Sequence, residues 1–219
     1  MILYLSRVHF PVTTLGPGRR IGIWFQGCTI RCSGCISADT WNTKKDGIEV
    51  KYLIEGISPW LYEADGITIS GGEPFDQPEA LISLLKQLRL ETSSDILVYS
   101  GYAYEKISHY VTKCDGLIDA LISDPYEENT KQTLALRGSD NQRLHYLTPL
   151  GEMRFSQFDR KLQTSDKTFD LMYEEEEETT WLAGIPRRND MVRLQHILAK
   201  KGHVAITTQD KRSMKERTL

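Results

Sequence analysis

Along the first two thirds of the chain, short apolar runs of strand type alternate with segments whose apolar residues recur at helical spacing. Ile21-Gly-Ile-Trp-Phe25 reads as a strand entered through the Gly16-Pro17-Gly18 turn. Residues 50–63 read as a helix that ends or is interrupted near Pro59. Gly66-Ile-Thr-Ile-Ser70 is a further strand and runs directly into Gly71-Gly72-Glu73-Pro74. From Pro78 to Arg89, Leu81, Leu84, Leu85 and Leu88 sit at helical spacing behind a proline start. A strand at Ile96–Ser100, a helix at Tyr104–Val111 and a strand at Leu117–Ser123 complete the alternation. The pattern predicts an α/β fold: a parallel sheet with helical crossovers, either open or curled as a partial barrel. Ligands in such folds gather at the C-terminal ends of the strands. Gly27-Cys28, Gly71–Pro74 and Ser100-Gly101 fall there.

Beyond residue 150 the texture changes, which divides the chain into a core of residues 1–150 and an α+β extension of residues 151–219. Gly151 to Lys167 is polar and weakly patterned, as a loop would be. Phe169–Glu174 and Thr180–Ile185 read as two strands joined through the run Glu174–Glu178, which serves as a solvated hairpin tip or binds a basic partner or cation. Asp190 to Lys201 carries Met191, Val192, Leu194, Ile197 and Leu198 in an amphipathic helical pattern with Asp190 near its cap. Val204-Ala-Ile206 suits a last short strand, and the polar end from Gln209 suits a frayed tail.

Charge narrows the range of partners. The 27 Lys+Arg against 30 Asp+Glu give a net charge of −3, which leaves no basic footprint for nucleic acid or an anionic membrane. The opening MILYLSRVHF is too short in apolar residues for a signal peptide or a spanning helix, so a cytoplasmic protein is expected.

The four cysteines carry the chemistry. Cys28, Cys32 and Cys35 crowd onto one loop after a strand, and Cys114 stands far away. That spacing does not suit a disulfide framework; it suits metal or redox work. A structural zinc site needs four closed ligands, so a zinc knuckle would require Cys114 or a histidine as the fourth. A four-iron cluster takes one ligand per iron, and three cysteines leave one iron open to an exogenous ligand. Ser70-Gly-Gly-Glu-Pro74 lies one strand further on, where adjacent glycines allow close backbone approach and Glu73 can accept hydrogen bonds from an amine.

Taken together, Phe25-Gln-Gly-Cys-Thr-Ile-Arg-Cys-Ser-Gly-Cys35, Thr40-Trp41 and Ser70-Gly-Gly-Glu-Pro74 resemble the radical S-adenosylmethionine (SAM) superfamily. Gly16-Pro-Gly18, Tyr99-Ser-Gly-Tyr102 and Leu136-Arg-Gly-Ser-Asp-Asn-Gln-Arg143 are similar to the glycyl radical enzyme activating subgroup, and closest to the activators of anaerobic ribonucleoside-triphosphate reductase. The resemblance covers about residues 8–147 and implies a partial (β/α) barrel. It implies that Cys28, Cys32 and Cys35 ligate a [4Fe–4S] cluster whose fourth iron takes the amino and carboxylate groups of SAM. Gly71, Gly72 and Glu73 would meet the methionyl ammonium, and backbone at Gly34, Cys35 and Ile36 would lie along the adenine. Ser100 would reach the ribose or carboxylate, or be a turn serine. Reductive cleavage of SAM would give a 5′-deoxyadenosyl radical that abstracts hydrogen from a glycyl radical enzyme or another protein or peptide, with a flavodoxin or ferredoxin-type donor supplying the electron.

Two other readings stand beside this one. The first is a radical SAM enzyme acting on a small molecule or peptide, in the manner of 7-carboxy-7-deazaguanine synthases. The second is a non-catalytic metal-binding scaffold. The chain departs from the activators in having Ile36 after the third cysteine and in its C-terminal extension. That extension, with Trp181-Leu-Ala-Gly-Ile-Pro-Arg-Arg188, would complete the barrel, cover the site or dock a partner. Arg187-Arg188 is either a partner contact or a solvated helix entry. Trp24, Phe25 and Trp60 are expected to be packing residues, Trp41 to shield the cysteine loop or fill the core, and Cys114 to be an incidental thiol.

Overall fold

The computed structural model describes residues 1–43, 46–174 and 179–204. Its centre is a six-stranded sheet of β2 (Leu5–Val12), β3 (Arg20–Phe25), β5 (Gly66–Gly71), β6 (Asp95–Tyr99), β7 (Ala120–Ser123) and β8 (Arg143–Tyr146), in that spatial order. The four inner strands run parallel, and the two edge strands pair antiparallel to their neighbours. The result is a mixed α/β sheet, and no barrel closure is found among the described residues. The short strands β1 (Ile2–Leu3) and β4 (Ile48–Glu49) pair separately at the entry to α1 (Val50–Leu61). No described helix is long and apolar enough to cross a membrane.

Period-2 alternation divides the strand residues between two cores. Ile21, Ile23, Phe25, Ile67, Ile69, Ile96, Val98 and Leu121 pack against α1, α2 (Pro78–Glu91) and α3 (Tyr104–Lys113) in one large cluster. All three crossover helices thus cover the same face. On the other face, Leu97, Ala120 and Ile122 pack on Phe155 of α4 (Pro149–Phe155), while Trp24 packs with Val12, Leu15 and Ala183. Trp24 and Phe25 are core residues as expected, and Trp60 stacks on Phe10 with ring centroids 6.0 Å apart. Cys114 is a buried core thiol among these apolar side chains. A zinc knuckle completed by Cys114 is therefore set aside.

Local chemistry explains the helix boundaries. Pro59 stays inside α1 because Ser58 Oγ donates to the Glu55 carbonyl (3.0 Å), the acceptor that a proline leaves without its amide partner. Pro78 and Pro149 start α2 and α4, and Thr148 Oγ1 caps α4 by accepting from Gly151 N. α4 corrects the expectation of a loop from residue 151. Its core contact is the single side chain Phe155, which gives no helical period, and Gly151 is needed where a Cβ would lie 1.9 Å from the Asp119 carbonyl. The edge strands β2 and β8 were also not anticipated: β2 carries Pro11, which only an edge tolerates, and β8 is four residues long.

In the C-terminal part, β9 (Phe169–Glu174) and β10 (Thr179–Gly184) form the expected antiparallel hairpin, and α5 (Asp190–Lys200) follows. The hairpin does not join the main sheet; its Ala183 and Met172 pack on Trp24. Most of the glutamate run, the expected strand beyond Val204 and the tail from Gln209 lie outside the described residues.

The N-terminal ends of the strands are locked by a buried ionic network. Arg20, fully buried, reaches Asp95 (2.6 Å), Thr68 Oγ1 (2.7 Å) and the Ile67 carbonyl (2.7 Å). Arg154 of α4 takes the other Asp95 oxygen at 2.9 Å. Burial pulls the Arg20 guanidinium below its ordinary pKa, and Asp95 opposes that shift. Replacing Asp95 with Ala leaves a buried guanidinium without its counter-ion, which costs about 3–5 kcal/mol in urea unfolding. A loss below about 1 kcal/mol would show that the pair is not holding this end of the sheet.

Candidate functional site

At the opposite end of the sheet, two loops cross in backbone contact. β3 ends at Phe25 and the chain turns through Gly27 (φ +102) into the cysteine loop, while β5 ends at Gly71 (φ +104) and runs on into Gly72. Gly72 N donates to the Phe25 carbonyl (2.8 Å), and Glu73 N donates to the Gly27 carbonyl (2.9 Å). A Cβ on Gly71 would lie 2.4 Å from Phe25 N, and one on Gly72 would lie 2.0 Å from Gly27 O. No L side chain fits either position without parting the loops. The far side of the cysteine loop is tied down as well. Gly27 N donates to Thr40 O (2.7 Å) and Cys28 N to Trp41 O (3.1 Å), which gives Trp41 a backbone role at the loop's base.

Side chains from these two loops interlock with the loop after β6 above this crossing. Thr29 N donates to Asp76 Oδ2 (2.7 Å) just past the Gly-Gly-Glu-Pro turn, and Tyr102 Oη donates to Asp76 Oδ1 (2.6 Å). Glu73 is buried and accepts from Phe75 N (2.9 Å), Ser100 Oγ (2.9 Å) and Gly101 N (2.8 Å). Ser100 Oγ also accepts from Tyr102 N (3.1 Å), so this serine holds Glu73 and turns the loop after β6. Burial pushes the Glu73 carboxyl up to about 7, against three donated hydrogen bonds that favour its anion.

Cys28, Cys32 and Cys35 are half-buried on a loop whose turns use Arg31 (φ +53) and Gly34 (φ +71). Burial pushes the Cys28 and Cys32 thiols up. Backbone amides oppose that shift: Arg31 and Ile30 donate to Cys28, and Tyr126 donates to Cys32. All three cysteines open into a cavity of about 680 Å³. The same cavity is lined by Gly34, Ile36, Gly71, Gly72, Glu73 and Ser100, so every expected site residue meets in one space.

The donor set fits an iron–sulfur cluster better than a single ion. No three His, Cys, Asp or Glu side chains among the described residues converge on one metal position. A four-iron cluster does not need such convergence, because each thiolate takes a different iron. Half-burial among amide donors is also the setting that holds thiolates and adjusts a cluster's potential.

Two further walls close the cavity, the first of which was not anticipated. One is the segment between β7 and β8, which contributes Tyr126, Glu128, Gln132, Gly138 and Gln142. Glu128 accepts from Ser33 Oγ (2.8 Å) on the cysteine loop, and a Cβ on Gly34 would lie 2.9 Å from its carboxyl carbon. The Arg-Gly-Ser-x-Asn-Gln segment shapes this wall: Gln142 Oε1 accepts from Gly138 N, and Ser139 Oγ accepts from Glu127 N. The other wall comes from the extension, where residues 184–189 with Met191 and Val192 line the mouth. Of the roles open to the extension, these residues take that of covering the site.

A family model described as "4Fe-4S single cluster domain" matches residues 14–145. The chain is 29% identical over 134 residues to the anaerobic ribonucleoside-triphosphate reductase-activating protein of Enterobacteria phage T4, covering 59% of this chain and 85% of that protein. It is 28% identical over 148 residues to the protein of the same name from Escherichia coli K12, covering 64% and 96%. Over 94 residues it is 36% identical to the pyruvate formate-lyase-activating enzyme of Clostridium pasteurianum, covering 41% and 40%.

Two outcomes follow from this geometry. Gly72→Ala forces the loop crossing apart and costs about 2–4 kcal/mol of stability by urea unfolding; a variant as stable as the parent would contradict the crossing. Because the folded-state pKa of Glu73 lies above its unfolded value, stability falls as pH rises from about 4.5 to about 7. The fall attributable to Glu73 is on the order of 3 kcal/mol. Glu73→Gln flattens that part of the stability–pH curve, and an unchanged slope would assign it to other groups.

Proposed function

We propose, for a chain that belongs to the 4Fe-4S single cluster domain family and to the glycyl radical activating subgroup of the radical SAM enzymes, that it installs a glycyl radical on a separate enzyme of the anaerobic ribonucleoside-triphosphate reductase type. Its cofactors are a [4Fe–4S] cluster and SAM. The observation that carries the reading is the single cavity into which the three cysteines and the Gly-Gly-Glu turn both open. When bound, the cluster and SAM supply one-electron reductive cleavage to methionine and a 5′-deoxyadenosyl radical, the species that removes hydrogen from a glycine Cα.

The chain's own residues bind and orient. Cys28, Cys32 and Cys35 would hold three irons of the cluster and would leave one open to SAM. An ammonium donates, so the Gly72 carbonyl would be the group that meets it, since the Gly72 N–H is spent on Phe25. Glu73 adds a carboxyl held in place by Ser100 and Gly101. Backbone at Gly34, Cys35 and Ile36, which lines the same cavity, would lie along the adenine. Residues 1–150 form the radical SAM core as a partial (β/α) barrel, a reading supported by four parallel strands in sequential order with their helices on one face. Cys114 is the one cysteine outside the loop and sits in the apolar core, so the electron comes from an external flavodoxin or ferredoxin-type donor, in the cytoplasm.

Anaerobic reconstitution with iron and sulfide, followed by dithionite and SAM, tests this. The wild-type protein is expected to be brown, to hold about four irons per chain and to release 5′-deoxyadenosine. Cys32→Ala loses the colour and the product together. A colourless wild-type protein holding zinc and leaving SAM intact would overturn the reading.

A further inference from the structure

The cavity that holds the three cysteines is finished by residues beyond the matched core. The family model ends at residue 145, and the E. coli relative is 96% covered by a 148-residue match, which leaves almost nothing in it to correspond to the extension. In this chain a strap of residues 185–189 crosses the mouth of the cavity and leads into α5, whose Met191 and Val192 also line it.

The strap is fastened, not draped. Gln132 clasps it from both sides of its side-chain amide: Nε2 donates to the Pro186 carbonyl (3.1 Å), and Oε1 accepts from Arg188 N (3.2 Å). Arg188 Nη2 donates to the Thr130 carbonyl, and Ile185 N donates to the Thr168 carbonyl (2.7 Å). A target reaching the cavity from this side passes a fixed edge.

α5 continues that edge outward with no buried side chain, although its sequence is amphipathic. Val192 is 63% and Ile197 53% exposed. Arg188, Arg193, His196, Lys200 and Lys201 are exposed along the strap and helix. The one acid of this stretch, Asp190, is occupied by Arg187 N (2.9 Å) and faces Arg193 (3.7 Å). Glu128, across the mouth, is engaged by Ser33. The result is an apolar, net-basic helix in direct continuity with the space where a target glycine must enter.

We propose that the strap and α5 are the docking surface for the partner protein, receiving a segment near its target glycine that carries apolar anchors flanked by acidic side chains. The proposal rests on the activase reading given above. Its occupant is the partner enzyme because the surface runs from the reaction cavity outward and is net basic, its one acid already paired. Because the extension lies outside the matched region, it sets which partner this chain serves.

The test uses the full-length reconstituted protein and, as probe, the purified anaerobic ribonucleoside-triphosphate reductase of the same organism. The double variant Arg193→Glu/Ile197→Glu is compared with the conservative Arg193→Lys/Ile197→Leu. Release of 5′-deoxyadenosine without the reductase is expected to stay at the wild-type level in both. The reductase concentration giving half-maximal glycyl radical signal in electron paramagnetic resonance (EPR) rises about tenfold or more in the first and not in the second. A change of less than about twofold in the first variant overturns the proposal. So does conversion of a dimer to a monomer in sedimentation velocity with radical transfer intact, which would make α5 an interface between copies. Wild-type protein that cleaves SAM yet leaves the reductase without a radical overturns the activase reading itself, and is told apart because no variant is needed to see it.

Discussion

The contact on which the site depends is between main chains: the Gly71-Gly72 turn after β5 lies on the Phe25–Gly27 segment after β3. Two amide–carbonyl bonds cross that contact, and neither glycine has room for a β-carbon. A backbone-to-backbone contact of this kind cannot be adjusted by rotamers, so it fixes the cysteine loop and the Gly-Gly-Glu turn relative to one another. The side chains above it add to that constraint. Asp76 binds Thr29 at the start of the cysteine loop, and Glu73 binds the loop after β6 through Ser100 and Gly101. Three consecutive parallel strands therefore deliver three loops as one unit.

The sheet divides its work between its ends. At the N-terminal ends of the strands, Arg20 and Asp95 are buried as an ion pair, and the partly exposed Arg154 closes over them. Gly66 keeps space open for that guanidinium: a Cβ there would lie 2.2 Å from Arg20 Nη1. At the C-terminal ends the cysteines, the Gly-Gly-Glu turn and Ser100 face a cavity. A rigid base of this kind lets the upper loops hold half-buried thiols without the sheet yielding beneath them.

Much of this was legible in the chain's pattern because the signals were local. The strands at Ile21, Gly66 and Ile96, and the helix behind Pro78, followed from periodicity and punctuation alone. The cysteine loop and the Gly-Gly-Glu turn declared themselves by residue type and spacing. What was hidden depends on distant partners. Pro11 disguised an edge strand, and Gly151 disguised a helix whose tight contact with the Asp119 carbonyl lies 32 positions away in sequence. The wall formed by Glu128 and Gln132, and the strap pinned by Gln132, follow from tertiary pairing that no local pattern encodes. Ser100 read equally as a ligand group or a turn residue; in the fold it holds Glu73 and Tyr102 N.

The joining of the two loops into one cofactor site is tested most directly by EPR of the reduced, reconstituted protein with and without SAM. If the three-cysteine loop leaves an iron open beside the Gly-Gly-Glu turn, SAM is expected to shift the g-values of the reduced cluster. Binding of SAM, measured in parallel by equilibrium dialysis, with an unshifted cluster spectrum would place the two cofactors apart and contradict the single site.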